Sequence, residues 1–85
     1  MDRTASYRII IIRVPEGYLA WAPAFPQLSG RDRSARAAYK ILKENITQDL
    51  ANRIAASQPI PTDPVVQART FRVDLWYLRE KEELR

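Results

Sequence analysis

Residues 7–14, YRIIIIRV, carry isoleucines on both sides of an alternating pattern, and a strand that is apolar on both faces needs a cover on each. Tyr7, Ile9 and Ile11 take one face. Ile10, Ile12 and Val14 take the other, with Arg8 opening that face and Arg13 closing the first. The run is β-branched and bounded by Pro15, which suits a strand better than so short a helix. One amphipathic helical pattern follows it in the chain. One face can therefore be covered from within, and the second cover is expected from another chain, which predicts a homo-oligomer, either a dimer or a tetramer.

Pro15-Glu16-Gly17 supplies a proline with preset φ and then a glycine able to adopt φ > 0, the chemistry of a type I turn closing on a G1 bulge. A tight hairpin follows, with a second strand from residue 18 to about 24. Leu19 and Trp21 share one face of it and Tyr18, Ala20 and Ala22 the other. Trp21 stands either in the core under the helix or on the outer face. Pro23 cannot donate to a ladder and belongs near the strand's end. Residues 27–31 read as a short third strand paired with the second.

Ser34 stands immediately before a long helical pattern, where its hydroxyl suits an N-cap. Ala38, Ile41, Leu42, Ile46, Leu50 and Ile54 recur at spacings of three and four, one apolar stripe reaching about residue 56. Prolines at 59, 61 and 64 then exclude any continuation of the helix. From 65 to 77, VVQARTFRVDLWY resumes a period of two, with Phe71, Val73, Leu75 and Tyr77 against Thr70, Arg72, Asp74 and Trp76. A right-handed crossover would lay this last strand parallel to the first. The expectation is an α+β fold, β-β-β-α-β, whose small mixed sheet has the order 3-2-1-4 with one long helix on one face. The 85 residues form one domain, with a core over about 7–77 and a charged tail over 78–85.

Several function classes are excluded by residue type. There is no cysteine and no histidine, which removes disulfides, thiolate metal sites, and the commonest general base and metal ligand. The serines at 6, 29, 34 and 57 have no histidine to activate them. Glu16 belongs to a turn, Asp74 to a strand beside Arg72, and Glu44 and Asp49 to a helix surface. The only glycines are Gly17 and Gly30, so there is no phosphate-cradling loop. No enzyme activity, metal or cofactor is expected. No apolar run approaches the roughly 18 residues of a membrane span, and MDRTASYR does not resemble a signal peptide. A soluble, cytoplasmic protein is the expectation.

The order of β-hairpin, short strand, helix, proline-rich connector and final strand resembles the HicB-like antitoxin family over nearly the whole chain. EGYLAWAPAFPQLSG is similar to that family's pattern of an acidic residue, Gly and Tyr, then Pro, an acidic residue, Leu, Pro and Gly. Gly17, Tyr18, Pro23, Phe25 and Pro26 fill the corresponding places. Ser34 occupies the family's helix-capping threonine position, Ala38 its small helix residue, and QPIPTDP its proline-rich stretch. The resemblance implies a partial RNase H-like fold and an antitoxin-like, non-enzymatic role that neutralises an RNA-cleaving toxin. An RNase H-type site needs several carboxylates around two metal ions, and the first strand carries none. Gln27 replaces a glycine of the pattern, and Arg31-Asp32-Arg33 stands where the family usually has Gly before the helix cap. Family antitoxins carry a C-terminal DNA-binding domain; the sequence ends after the last strand, so operator binding through such a domain is not expected. A pI near 9.9 also complements a basic toxin poorly.

Two binding surfaces compete. Trp76 with Arg72, Asp74 and Thr70, opposite the core-forming side of the last strand, is the candidate partner interface, since an exposed tryptophan anchors subunit contacts. The alternative is a small basic nucleic-acid-binding protein. The net charge is +4 and eleven of the fourteen cations are arginine. Arg31, Arg33, Arg36, Arg69 and Arg72 are its candidate phosphate contacts.

Overall fold

A computed structural model of the chain describes residues 4–65 and 67–83. Strand β1 (Ile10–Val14) turns through Pro15-Glu16 into β2 (Gly17–Ala22), and a second turn leads into β3 (Phe25–Asp32). Together they form a three-stranded antiparallel sheet in the order β1-β2-β3. Helix α1 (Ala35–Ala55) packs on it, and a second helix, α2 (Leu75–Glu83), follows a long irregular stretch. The protein is thus a small α+β fold with one long helix on a small sheet.

The expected local signals form as residue chemistry dictates. Gly17 has φ 146° and pairs with Val14 across the hairpin, a backbone geometry that residues with a Cβ rarely adopt. Ser34 is the N-cap of α1, its Oγ accepting from the Ala37 N–H at 3.1 Å, an interaction that stabilises a helix by about 1 kcal/mol. The helix ends at Ala56, and Ser57 takes φ 55° just ahead of the prolines.

Strand register assigns the two faces. Directly opposite residues in an antiparallel pair share a face, so Ile11, Ala20 and Gly30 form one cross-strand row and Arg13, Tyr18 and Asp32 another. This is the face under α1. Its rows shrink toward β3, from isoleucine through alanine to glycine, and α1 accordingly lies over β3 and β2 and only skirts β1. A Cβ on Gly30 would meet the Ala38 carbonyl oxygen and stand 2.7 Å from the Leu42 N. The close approach therefore depends on the missing side chain.

The core is thin. Among the described residues its buried members are Ala20, Ala22, Phe25, Ala38, Leu42 and Ile46, so half are alanines, and of these only Phe25 and Leu42 are large and fully buried. Each large member contributes roughly 1.5–3 kcal/mol by leaving water. Of the helical stripe, Ile41 and Leu50 are half-buried, while Ile54 stays 64 % exposed because α1 outruns the sheet beneath it.

The fourth strand expected over 65–77 is not formed among the described residues. Residues 67–74 have no regular structure and Leu75–Glu83 is helical. Asp74 accounts for the change. Its Oδ1 accepts from the Trp76 and Tyr77 N–H groups at 3.0 and 3.2 Å, so the residue read as part of a strand face caps a helix. The sequence beyond it, LWYLREKEE, is rich in helix formers. Residues 67–74 then have no ladder partner among the described residues, and the sheet order stops at 3-2-1. Val66, expected in that strand, and residues 84–85 of the tail lie outside the described residues.

Candidate interaction surface

The second face of the sheet is where the structure leaves apolar residues uncovered. Ile12, Leu19 and Arg31 form one cross-strand row on it and Ile10, Trp21 and Ser29 the next, with Val14 at the hairpin end. Ile10 and Ile12 are 38 % and 44 % exposed. No helix lies across them, since α1 occupies the opposite side. Trp21 thus belongs to the outer face, half-buried among its neighbours, rather than to the core under the helix. Arg31, at the edge of this face, meets Glu16 of the hairpin turn at 3.9 Å. Both side chains are well exposed, and such a pair contributes little.

β1 is also an edge. Among the described residues it pairs with β2 on one side only, leaving a row of unpaired backbone groups on the other. Ile11, on the helix side, is 40 % exposed because α1 does not reach across it. The connector arrives at the beginning of this edge. The Tyr7 hydroxyl donates to the Pro61 carbonyl at 2.7 Å, and the Arg8 N–H donates to Asp63 Oδ2 at 2.7 Å. The Tyr7 ring stands edge-on to Phe25, centroids 4.9 Å apart, so this anchorage is tied to the core. Burial pushes the Tyr7 phenol up, with the Arg53 charge acting the other way.

Asp63 is the electrostatic pin of the connector. Its carboxylate accepts from the Val65 N–H at 2.8 Å as well as from Arg8, and these two bonds hold it below the usual carboxylate range. A carboxyl held low in the folded state contributes stability above its unfolded value, about 3.9, and loses it as pH falls through the lower folded value. The Arg8 amide resonance is accordingly expected to titrate in acid with a midpoint below that value, and Asp63→Ala to abolish the transition. A midpoint at or above about 3.9 would refute the pin.

The chain beyond Asp63 forms an apolar arm. Phe71, Leu75 and Trp76 are 87 %, 74 % and 71 % exposed, and among the described residues α2 contacts neither the sheet nor α1. Trp76, Arg72, Asp74 and Thr70 all lie on this arm, but not as one strand face. Asp74 caps α2, Trp76 lies in its first turn with the Arg79 guanidinium 5.7 Å from its ring centroid, and Thr70 and Arg72 precede it. Nor do the arginines converge on one element. Arg31 is the penultimate residue of β3, Arg33 follows the strand with its N–H on Asp32 Oδ1 at 2.6 Å, Arg36 sits in the first turn of α1, and Arg69 and Arg72 are on the arm.

No protein-family model, curated protein or solved structure matches this chain.

Among the described residues no group of three acidic side chains could hold a metal ion, and no helix is long and apolar enough to cross a membrane. A surface concavity lined by Lys40, Lys43, Glu44, Thr47, Gln48 and Ala51 lies along the outer side of α1, with no convergence of buried polar groups. The surfaces with unmet bonding capacity are the bare sheet face, the β1 edge and the arm. Sequence reasoning missed Gly30, whose role depends on a helix it cannot be seen to touch in the sequence. The only signal for it was its rarity.

Proposed function

We propose that this chain is a non-enzymatic protein-interaction module of the HicB-like, antitoxin-like kind that works as a homo-oligomer. The observation that carries the reading is the bare sheet face of Ile10, Ile12, Val14, Leu19 and Trp21. A core of this size gains from any further apolar burial, and a contiguous exposed apolar patch marks an interaction site. The finer fold belongs to the same proposal. Residues 67–74 complete the sheet along β1 in the order 3-2-1-4, a shorter span than the alternation over 65–77 suggests because α2 takes over at Leu75, and this course is supported by the Tyr7–Pro61 and Arg8–Asp63 bonds that bring the connector to the head of that edge. An RNA-cleaving toxin as a further partner rests on the family resemblance alone.

Light scattering at low and high salt tests the oligomer. The native chain is expected to be a dimer or tetramer at both, because its contact is apolar. Ile12→Glu, which adds a charge at an exposed position of the bare face, should weaken association by at least about a hundredfold, since burying an unpaired carboxylate costs several kcal/mol. A monomer throughout would refute the proposal. An assembly dissolved by salt would instead favour binding through the arginines.

A further inference from the structure

Each copy carries two unmet requirements that fit one another. β1 offers an open edge with exposed isoleucines on both faces. Residues 67–74 form an irregular stretch without ladder partners among the described residues, in which Phe71 and Val73 alternate with Thr70, Arg72 and Asp74. The arm does not return to its own sheet. The molecule measures 62 × 31 × 17 Å along its principal axes, far longer than a packed domain of this size, and α2 touches no other element among the described residues. An extended segment adds to an exposed sheet edge through backbone hydrogen bonds, with alternate side chains supplying specificity. A segment and an edge borne by the same chain close a symmetric pair when two copies exchange them.

We infer that the strand completing the sheet beside β1 is supplied by a second copy of this chain, each protomer placing its 67–74 arm on the partner's β1 edge. This rests on the proposed completion of the sheet and names which chain provides the strand. The proline connector suits the exchange. Pro59, Pro61 and Pro64 restrict the backbone, and Asp63 pins the connector to Arg8, so the arm leaves from a fixed point at the head of the edge. Exchange also brings the partner's Leu75 and Trp76 toward the sheet that lacks a second cover.

The absence of cysteine makes the inference directly testable by cross-linking. Ile11→Cys on β1 and Val73→Cys on the arm both replace exposed side chains, 40 % and 43 % exposed, so neither disturbs the core. Two chains, each carrying one of the cysteines and distinguished by a tag, are mixed and treated with a short bismaleimide. The same reagent is applied to the double variant. The expected result is a mixed product of dimer mass from the pair and dimer mass from the double variant. It should form on the order of a hundredfold faster than with Thr47→Cys, on the far side of α1, in place of Ile11→Cys, because a held pair reacts at millimolar effective concentration. An internally cross-linked product of monomer mass would overturn the exchange while leaving the 3-2-1-4 sheet standing. No product, or equal yield from the Thr47→Cys control, would overturn both.

Discussion

Phe25→Ala is expected to lower the free energy of unfolding by about 3–5 kcal/mol. The side chain is fully buried at the start of β3, one of two such large residues among those described. An 85-residue chain has roughly 4–13 kcal/mol of stability at the usual 0.05–0.15 kcal/mol per residue, so this substitution removes a large share of it. The loss extends beyond burial, because the Phe25 ring supports Tyr7 edge-on and the Tyr7 hydroxyl holds Pro61. Urea unfolding at one fixed protein concentration is the measurement, since an oligomer's stability depends on concentration. Phe25→Leu, which keeps most of the volume, should cost less than half as much. A Phe25→Ala penalty under about 1 kcal/mol, the size of an average point mutation, would mean that the core lies elsewhere.

Gly30→Val should be the other severe change. Its Cβ would meet the Ala38 carbonyl oxygen and stand 2.7 Å from the Leu42 N and 3.2 Å from the Leu42 Cβ. Two of these three atoms are helix backbone, which cannot swing aside as a side chain would, so relief requires α1 to lift off β3. Overpacking costs about 1–3 kcal/mol where side chains can adjust, and a rigid obstacle places Gly30→Val at or above the top of that range. The adjacent Ser29→Ala, on the opposite face of the same strand, is expected within about 0.5 kcal/mol of the native chain. Equal unfolding midpoints for the two variants would show that α1 does not sit against Gly30. The thermal transition of Gly30→Val, followed by circular dichroism, gives a second readout. Helix signal retained with early loss of cooperativity is the signature of a detached α1.

These two residues also separate what local patterning conveys from what it does not. Phe25 stands out in the sequence as a large apolar side chain, although the pattern places residue 25 before the third strand rather than at its opening. Gly30 gave no such signal. Its importance comes from a helix lying across it, and no periodicity in β3 reports that. Trp21 shows the same division: alternation put it opposite Ala20 and Ala22, but which face α1 covers was decided by the small residues Ala20 and Gly30. The candidate interface residues depart furthest from the sequence pattern. Trp76 and Asp74 were assigned to a strand by alternation alone, whereas the Asp74 side chain bonds the backbone two and three residues ahead and starts a helix. A period of two can be read from side-chain order, but a strand needs a neighbouring ladder.

Residues close together in the chain dictate the hairpin over β1 and β2, the N-cap and length of α1, the two faces of β1 and of β2, and the connector that follows the helix. All of these depend on interactions within a few residues: preset proline φ, glycine at Gly17, the Ser34 hydroxyl and the spacing of apolar side chains. Long-range packing sets α1 over β2 and β3, leaves β1 among the described residues as an edge with exposed isoleucines, and holds the last apolar segment away from its own sheet. Those outcomes depend on contacts between residues far apart in the chain. Side-chain volume at Ala20 and Gly30 and the closing of the loop through the Asp63 pin act between residues far apart in the chain, whereas the Asp74 cap is a local bond that prevails because, among the described residues, no ladder forms for the strand it displaces.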